Sequence, residues 1–193
     1  MLAVPALCGT GFTRNADATL KGFGLKAVVA PVRGLRLEGS AGYVKVRFDQ
    51  IFFLDPVTGV LTNFASTSHL PYVPGRTAHA AATYMFDPMA NGTVPSVRAD
   101  YSWRSRRWFH TNNLANLKPL NDQIAGGELW SAGGSIVLSD MPFGRAKGQV
   151  SVFAENLLDK AYRFQGVDFG SLGFAGNVYG APRRLGIDLK LNF

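Results

Sequence analysis

The residues best suited to chemistry gather in one stretch. Arg98, Arg104, Arg106 and Arg107 lie close together, with Trp108 and His110 directly after them. Guanidinium groups offer paired donors to an anion, and several on one wall focus a positive field. Arg104, Arg106, Trp108 and His110 are therefore the candidate ligand-binding residues, and a carboxylate- or catecholate-bearing small molecule is the class they suit. A plainer reading makes the arginines a lining paired with Asp100 and acidic neighbours, or a contact for phosphates near a rim. The plainer reading is preferred. Phe52, Phe53, Phe64 and Tyr72, and later Phe164, Phe169, Phe174 and Tyr179, offer a surface to an aromatic or hydrophobic ligand. Packing of the loops that carry them explains them more simply.

Other chemistries find little support. His69, His79 and His110 are widely spaced, without the short intervals of a metal site. The single cysteine, Cys8, excludes an internal disulfide and a Cys-rich zinc site. There is no glycine-rich phosphate loop, no Gly-x-Ser-x-Gly turn and no paired-carboxylate arrangement. Ser102, Ser105 and His110 stand near one another, but nothing in their spacing compels a nucleophile and its base. The expectation is a protein that is not an enzyme, with no cofactor and no metal. Net charge is +7, yet Lys and Arg are dispersed, so nucleic acid is not an expected partner.

The elements that carry these side chains are strands. Hydrophobic residues make up 47% of the chain and charged residues 17%, and no run nears the ~18 apolar residues of a membrane helix. Instead the apolar residues alternate. Leu185, Ile187, Leu189, Leu191 and Phe193 oppose Arg184, Gly186, Asp188, Lys190 and Asn192. Val97, Ala99, Tyr101 and Trp103 oppose Ser96, Arg98, Asp100, Ser102 and Arg104. The same period of two places Phe23, Leu25, Ala27 and Val29 together, then Leu35, Leu37, Gly39, Ala41 and Tyr43. Further segments begin near Ala78, Trp130 and Val150, which brings the expected count to seven strands. After Tyr43 the phase inverts to Val44, Val46 and Phe48. That marks either a bulge or the point where the strand leaves its apolar surroundings.

Three connections are short and three are long, in strict alternation. The short ones are 31–34, 87–93 and 140–147; the long ones are 49–75, 111–126 and 166–181. Tight turns at one end and long loops at the other characterise an outer-membrane β-barrel. Tyr84, Phe86, Tyr101, Trp103 and Trp130 fall near strand ends, where amphipathic rings favour a membrane–water interface. Arg98, Asp100, Arg104 and Arg106 share a face. On lipid, one mid-bilayer Arg would cost ~2–4 kcal/mol, so that face is expected to line a lumen. Seven strands do not close an even-numbered barrel, and open edges in lipid are costly. The chain is thus expected to be the carboxy-terminal part of a larger barrel. A small complete outer-membrane barrel, porin-like or bearing a rim enzyme, is the alternative, and a soluble β binding module is a third. Met1–Gly9 lacks both a basic start and a small-residue cleavage site, so residues 1–16 are expected to form a loop or partial strand rather than a signal peptide.

Several segments resemble one family. Asn15–Ala27 resembles its "N-x-G-x-(A/T)-x-x-x-G-x-E-x-E" strand, and Leu70-Pro71-Tyr72-Val73-Pro74 its "(L/P)-x-x-(A/V)-P" loop exit. Asn156-Leu157-Leu158-Asp159-Lys160-Ala161-Tyr162 resembles "N-L-(F/L)-(D/N)-x-x-Y", and Pro182-Arg183-Arg184 with Gly186 and Phe193 resembles "P-R-x-x-G … F". Together they resemble the carboxy-terminal barrel part of a TonB-dependent outer-membrane receptor, over nearly all of the chain after Thr13, and Asn156–Tyr162 is expected to mark the upper half of a strand. The resemblance implies a 22-stranded barrel filled by an amino-terminal plug, in the Gram-negative outer membrane, among lipid and lipopolysaccharide. It implies TonB-energised uptake of a scarce ligand such as a ferric siderophore, haem, cobalamin or an oligosaccharide. Two departures stand out. Gly24 and Lys26 replace acidic residues, and no plug or TonB-contact segment is present, so this chain alone is not expected to perform gated transport. The domain expectation is one unit over 1–193, with barrel strands and loops over 17–193.

Overall fold

The computed structural model describes residues 16–55, 58–111, 124–169 and 174–192. The expectation for 1–16 therefore lies, apart from Ala16, outside the described residues, as does the terminal Phe193. The described chain is all-β. Seven strands form one antiparallel sheet: β1 (Asp17–Val32), β2 (Leu35–Gln50), β5 (Arg76–Met85), β6 (Val94–Arg104), β7 (Leu129–Phe143), β8 (Ala146–Glu155) and β11 (Arg184–Asn192). Each lies beside its neighbour in chain order, and β1 and β11 are the edges, so the sheet is not a closed barrel. Its strands run from 9 to 16 residues, so the shortest only reach the ~9–11 needed to cross a bilayer at a tilt.

The long connections carry structure that the sequence alone does not signal. β3 (Phe52–Leu54) and β4 (Leu61–Asn63) pair as a short hairpin, followed by a 3-10 turn at Ala65–Thr67. β9 (Arg163–Asp168) and β10 (Ala175–Tyr179) form a second hairpin. A correction concerns Asn156–Tyr162, expected to be the upper half of a strand. It follows β8 as a turn, with Asn156 and Asp159 at φ values of 47° and 50°. The Asn156 side chain bonds the Lys160 N–H and carbonyl and the Ala181 carbonyl, which holds the turn against the start of β11.

Register explains the two faces. Directly opposed residues in an antiparallel pair share a face. Leu25 opposes Ala41, Ala41 opposes Ala78, Ala78 opposes Trp103 and Trp103 opposes Trp130. Further along, Ile136 opposes Val152, which opposes Ile187. The apolar positions of all seven strands thus join into one continuous surface. Leu25, Ile187 and Leu189 on it are 67–73% exposed. The opposite face is polar and better covered. Arg98 donates to Thr83 Oγ1 at 3.1 Å and lies 3.6 Å from Glu38, which Arg36 also pairs at 3.0 Å. Of the expected partners, Asp100 and acidic neighbours, Arg98 thus takes a neighbour, Glu38. Ala81 and Ser151, also on this face, are buried.

Aromatic residues edge the apolar surface at both ends. Phe23 packs on Tyr43 with ring centroids 5.8 Å apart, at the end bearing the long loops. Trp103 Nε1 donates to Glu128 there, and Lys160 Nζ sits 4.9 Å from the Trp130 ring centroid. At the short-turn end Tyr84 meets Phe86 edge-on at 4.7 Å. The phase inversion after Tyr43 has no bulge beneath it. The β1–β2 register runs unbroken from Ala18 to Val29, so only the character of the surroundings changes.

Two turn glycines give a controlled comparison. Gly34 (φ +81°) and Gly144 (φ +62°) both adopt the left-handed conformation. A Cβ on Gly34 would also lie 2.4 Å from the Met85 carbonyl oxygen, whereas one on Gly144 meets nothing within 4 Å. Gly144→Ala should cost about 1 kcal/mol from backbone strain alone, and Gly34→Ala distinctly more. Urea midpoints of the two variants check this; equal losses would contradict the contact.

Candidate functional site

The long loops pack on one another above the sheet. Phe109, Ile124 and Ala125 are almost wholly buried there, and with Ile51 and Ala81 they are the buried hydrophobic residues of the described chain. Gly166 joins them because a Cβ at that position would strike Ile124 and the Phe109 ring. Arg107 ties the pieces together. Its backbone exchanges hydrogen bonds of 2.9 and 3.0 Å with Gly126, and its Nη2 donates to the Phe164 carbonyl at 2.7 Å. The guanidinium lies 5.5–5.8 Å from the ring centroids of Phe109, Tyr72 and Phe164. A cation among ring faces is held by their quadrupoles, at roughly 0.5–2 kcal/mol per ring. One arginine therefore contacts the 51–75 connection, its own 105–128 segment and the β9–β10 hairpin. The loop-packing account of the aromatics holds for Phe164 and Tyr72. It also holds for Phe53 on Phe64 (6.3 Å) and Phe169 on Phe174 (4.6 Å).

The four proposed ligand residues separate. Arg104 ends β6 on the polar face, opposite Thr77, and its Nη1 is buried without a hydrogen-bond partner among the described residues. Arg106 and Trp108 lie beyond the strand and meet: the Arg106 Cζ is 4.3 Å from the Trp108 ring centroid. His110 is half-buried further along the same segment. The structure adds a residue that spacing did not single out as a ligand contact. His69, from the previous long loop, stacks on Trp108 at 4.7 Å with only 6° between the rings. Backbone bonds fix this meeting, from His69 N–H to the Thr111 carbonyl at 2.8 Å and from Tyr72 N–H to the Trp108 carbonyl at 2.7 Å.

His69 also lines a groove of about 640 Å³ between the end of β2 and the 3-10 turn. Arg47, Phe48, Asp49, Ser66 and Ser68 share its walls. Cation, carboxylate, hydroxyls and an imidazole line it, a set able to orient a polar molecule. Among the described residues, no three His, Cys, Asp or Glu side chains gather as a metal site.

Burial, and then the charge of Arg106, hold the His69 imidazole below its ordinary 6.5. Because the folded value is depressed, the contribution of the neutral ring is fully present above pH 6.5 and is lost as pH falls below it. Histidine NMR should show His69 titrating below 6.5, and Trp108→Ala should return it toward that value. A wild-type value at or above 6.5 would contradict the half-buried stack. Compared with known proteins, the chain matches no family model, no curated protein and no solved structure.

Proposed function

We propose that this chain is the carboxy-terminal part of a TonB-dependent receptor barrel in the Gram-negative outer membrane. In the whole protein it would serve TonB-energised uptake of a scarce ligand, such as a ferric siderophore, through a 22-stranded barrel holding an amino-terminal plug. One observation carries the reading: a continuous apolar face across seven strands that stands exposed while the Glu38–Arg98 charged network lies on the other side. Water would not favour that surface, whereas lipid does.

Dimensions agree. Phe23 to Val32 spans about 30 Å at ~3.3 Å per residue. A strand tilt of ~40° reduces this to roughly 23 Å, near the ~25 Å apolar band of such barrels. Aromatics at both ends of the face suit interfacial girdles. The unpaired edges of β1 and β11 favour further strands, because an exposed ladder in lipid leaves N–H and C=O groups unsatisfied. Sequence motifs from Asn15 to Arg184 supply the family. Loops at the 51–75 and 105–128 end, with the His69 groove and Arg104, supply the candidate ligand surface.

Two experiments follow. The gene product should insert into lipid vesicles and migrate differently on gels before and after boiling. Ile187→Arg should weaken insertion by ~2–4 kcal/mol, and Asp188→Asn on the opposite face of β11 should not. Equal insertion of both variants, or a folded product without detergent or lipid, argues against the barrel. In the complete receptor, Arg104→Gln with Arg106→Gln should reduce ligand uptake. Unchanged uptake removes these arginines from the ligand surface while leaving the barrel reading intact.

A further inference from the structure

One rung of the sheet is hard to explain by folding. Along the apolar face of β1 and β2 the opposed pairs run Val29–Leu37, Ala27–Gly39, Leu25–Ala41 and Phe23–Tyr43. The next pair on that face is Lys21–Lys45, followed by Thr19–Arg47. Directly opposed side chains have Cβ atoms only ~5 Å apart, so a Lys–Lys pair is repulsive. Both lysines are exposed, and among the described residues neither has a carboxylate at ion-pair distance. Arg76, opposite Tyr43 on β5, adds a cation one strand away. The acid on this patch is Asp49, and it is engaged by Arg47 at 2.8 Å and by the Thr19 hydroxyl at 2.7 Å. A cavity of about 180 Å³ lies among Thr19, Lys21, Lys45 and Arg47.

Position identifies what would occupy it. The patch begins one rung beyond the Phe23–Tyr43 ring pair, where the apolar surface ends on the long-loop side. On the membrane reading above, which this inference rests on, that is headgroup level in the outer leaflet. We propose that Lys21, Lys45 and Arg76 bind the phosphate of an anionic lipid whose acyl chains lie against Leu25 and its neighbours. Phosphate between the two ammonium groups turns their repulsion into a shared attraction, and the adjoining apolar face receives the same molecule's chains. Lys26, paired with Ser40, stands on the opposite face of β1 and takes no part.

The test uses the complete gene product purified from membranes in a nonionic detergent. Binding is measured to bis-phosphorylated lipid A in micelles, to its dephosphorylated form, and in the presence of inorganic phosphate at matched concentration. Near a charged lipid surface each cation is worth ~1 kcal/mol, about fivefold in affinity. Lys21→Gln with Lys45→Gln should therefore lose about 25-fold, and Arg76→Gln about fivefold, whereas Lys26→Gln on the same strand should match wild type. Neither the dephosphorylated lipid nor inorganic phosphate should compete. Equal binding by the double variant, equal binding of the dephosphorylated lipid, or displacement by inorganic phosphate overturns the proposal. A gel shift on boiling, checked for every variant, separates the causes. A product that never folds in detergent or lipid overturns the membrane reading and this site with it; one that folds but does not discriminate overturns this site alone.

Discussion

Residues directly opposite one another in an antiparallel pair share a face, so six strand–strand registers must agree before seven strands present a single apolar surface. A slip of one residue in any of them would turn a whole strand over, placing Arg98 and Asp100 among leucines or Ile187 and Leu189 among ions. Each register here puts like with like from Leu25 across to Leu185. The short turns at Gly34 and Gly144 hold two of the six, since a left-handed residue at a fixed place leaves little freedom to slide.

The consequence is a chain arranged inside out. Large hydrophobic side chains on the sheet stand exposed, while Ala81, Ser151 and the Glu38 carboxylate on the polar side are covered. In water such a sheet has no driving force to hold its shape beyond its own hydrogen bonds. The loops show the ordinary arrangement instead. Phe109, Ile124 and Ala125 are buried as in a small soluble domain, and Tyr72 packs on the Phe109 ring at 5.4 Å. Sheet and loops thus follow opposite burial patterns, and the change falls near Phe23, Tyr43 and Trp103.

Much of the sheet was legible beforehand because period-two alternation is a local property. Val97 to Trp103 declare a strand without reference to any partner, and so do Leu185 to Leu191. The loop hairpins were not legible: Phe52–Leu54 and Leu61–Asn63 are three residues each, too short to show a period. Asn156–Tyr162 misled because its motif marks a position in a family pattern, while its backbone follows the left-handed turns at Asn156 and Asp159. The arginine-rich stretch was visible as composition. Its division was not, because Arg106 and Trp108 find His69 across about forty residues of chain, and no spacing rule links such positions. Arg107 looked like one more cation and turned out to be the centre of the loop packing.

That last placement couples parts that could otherwise move alone. A single guanidinium serves the 51–75 connection through Tyr72, the 105–128 segment through Phe109 and Gly126, and the β9–β10 hairpin through Phe164. Lifting any one of them strips partners from the same half-buried charge. A shift of Tyr72 would therefore reach Phe164 through the one side chain that both contact, with no change of register in the sheet below.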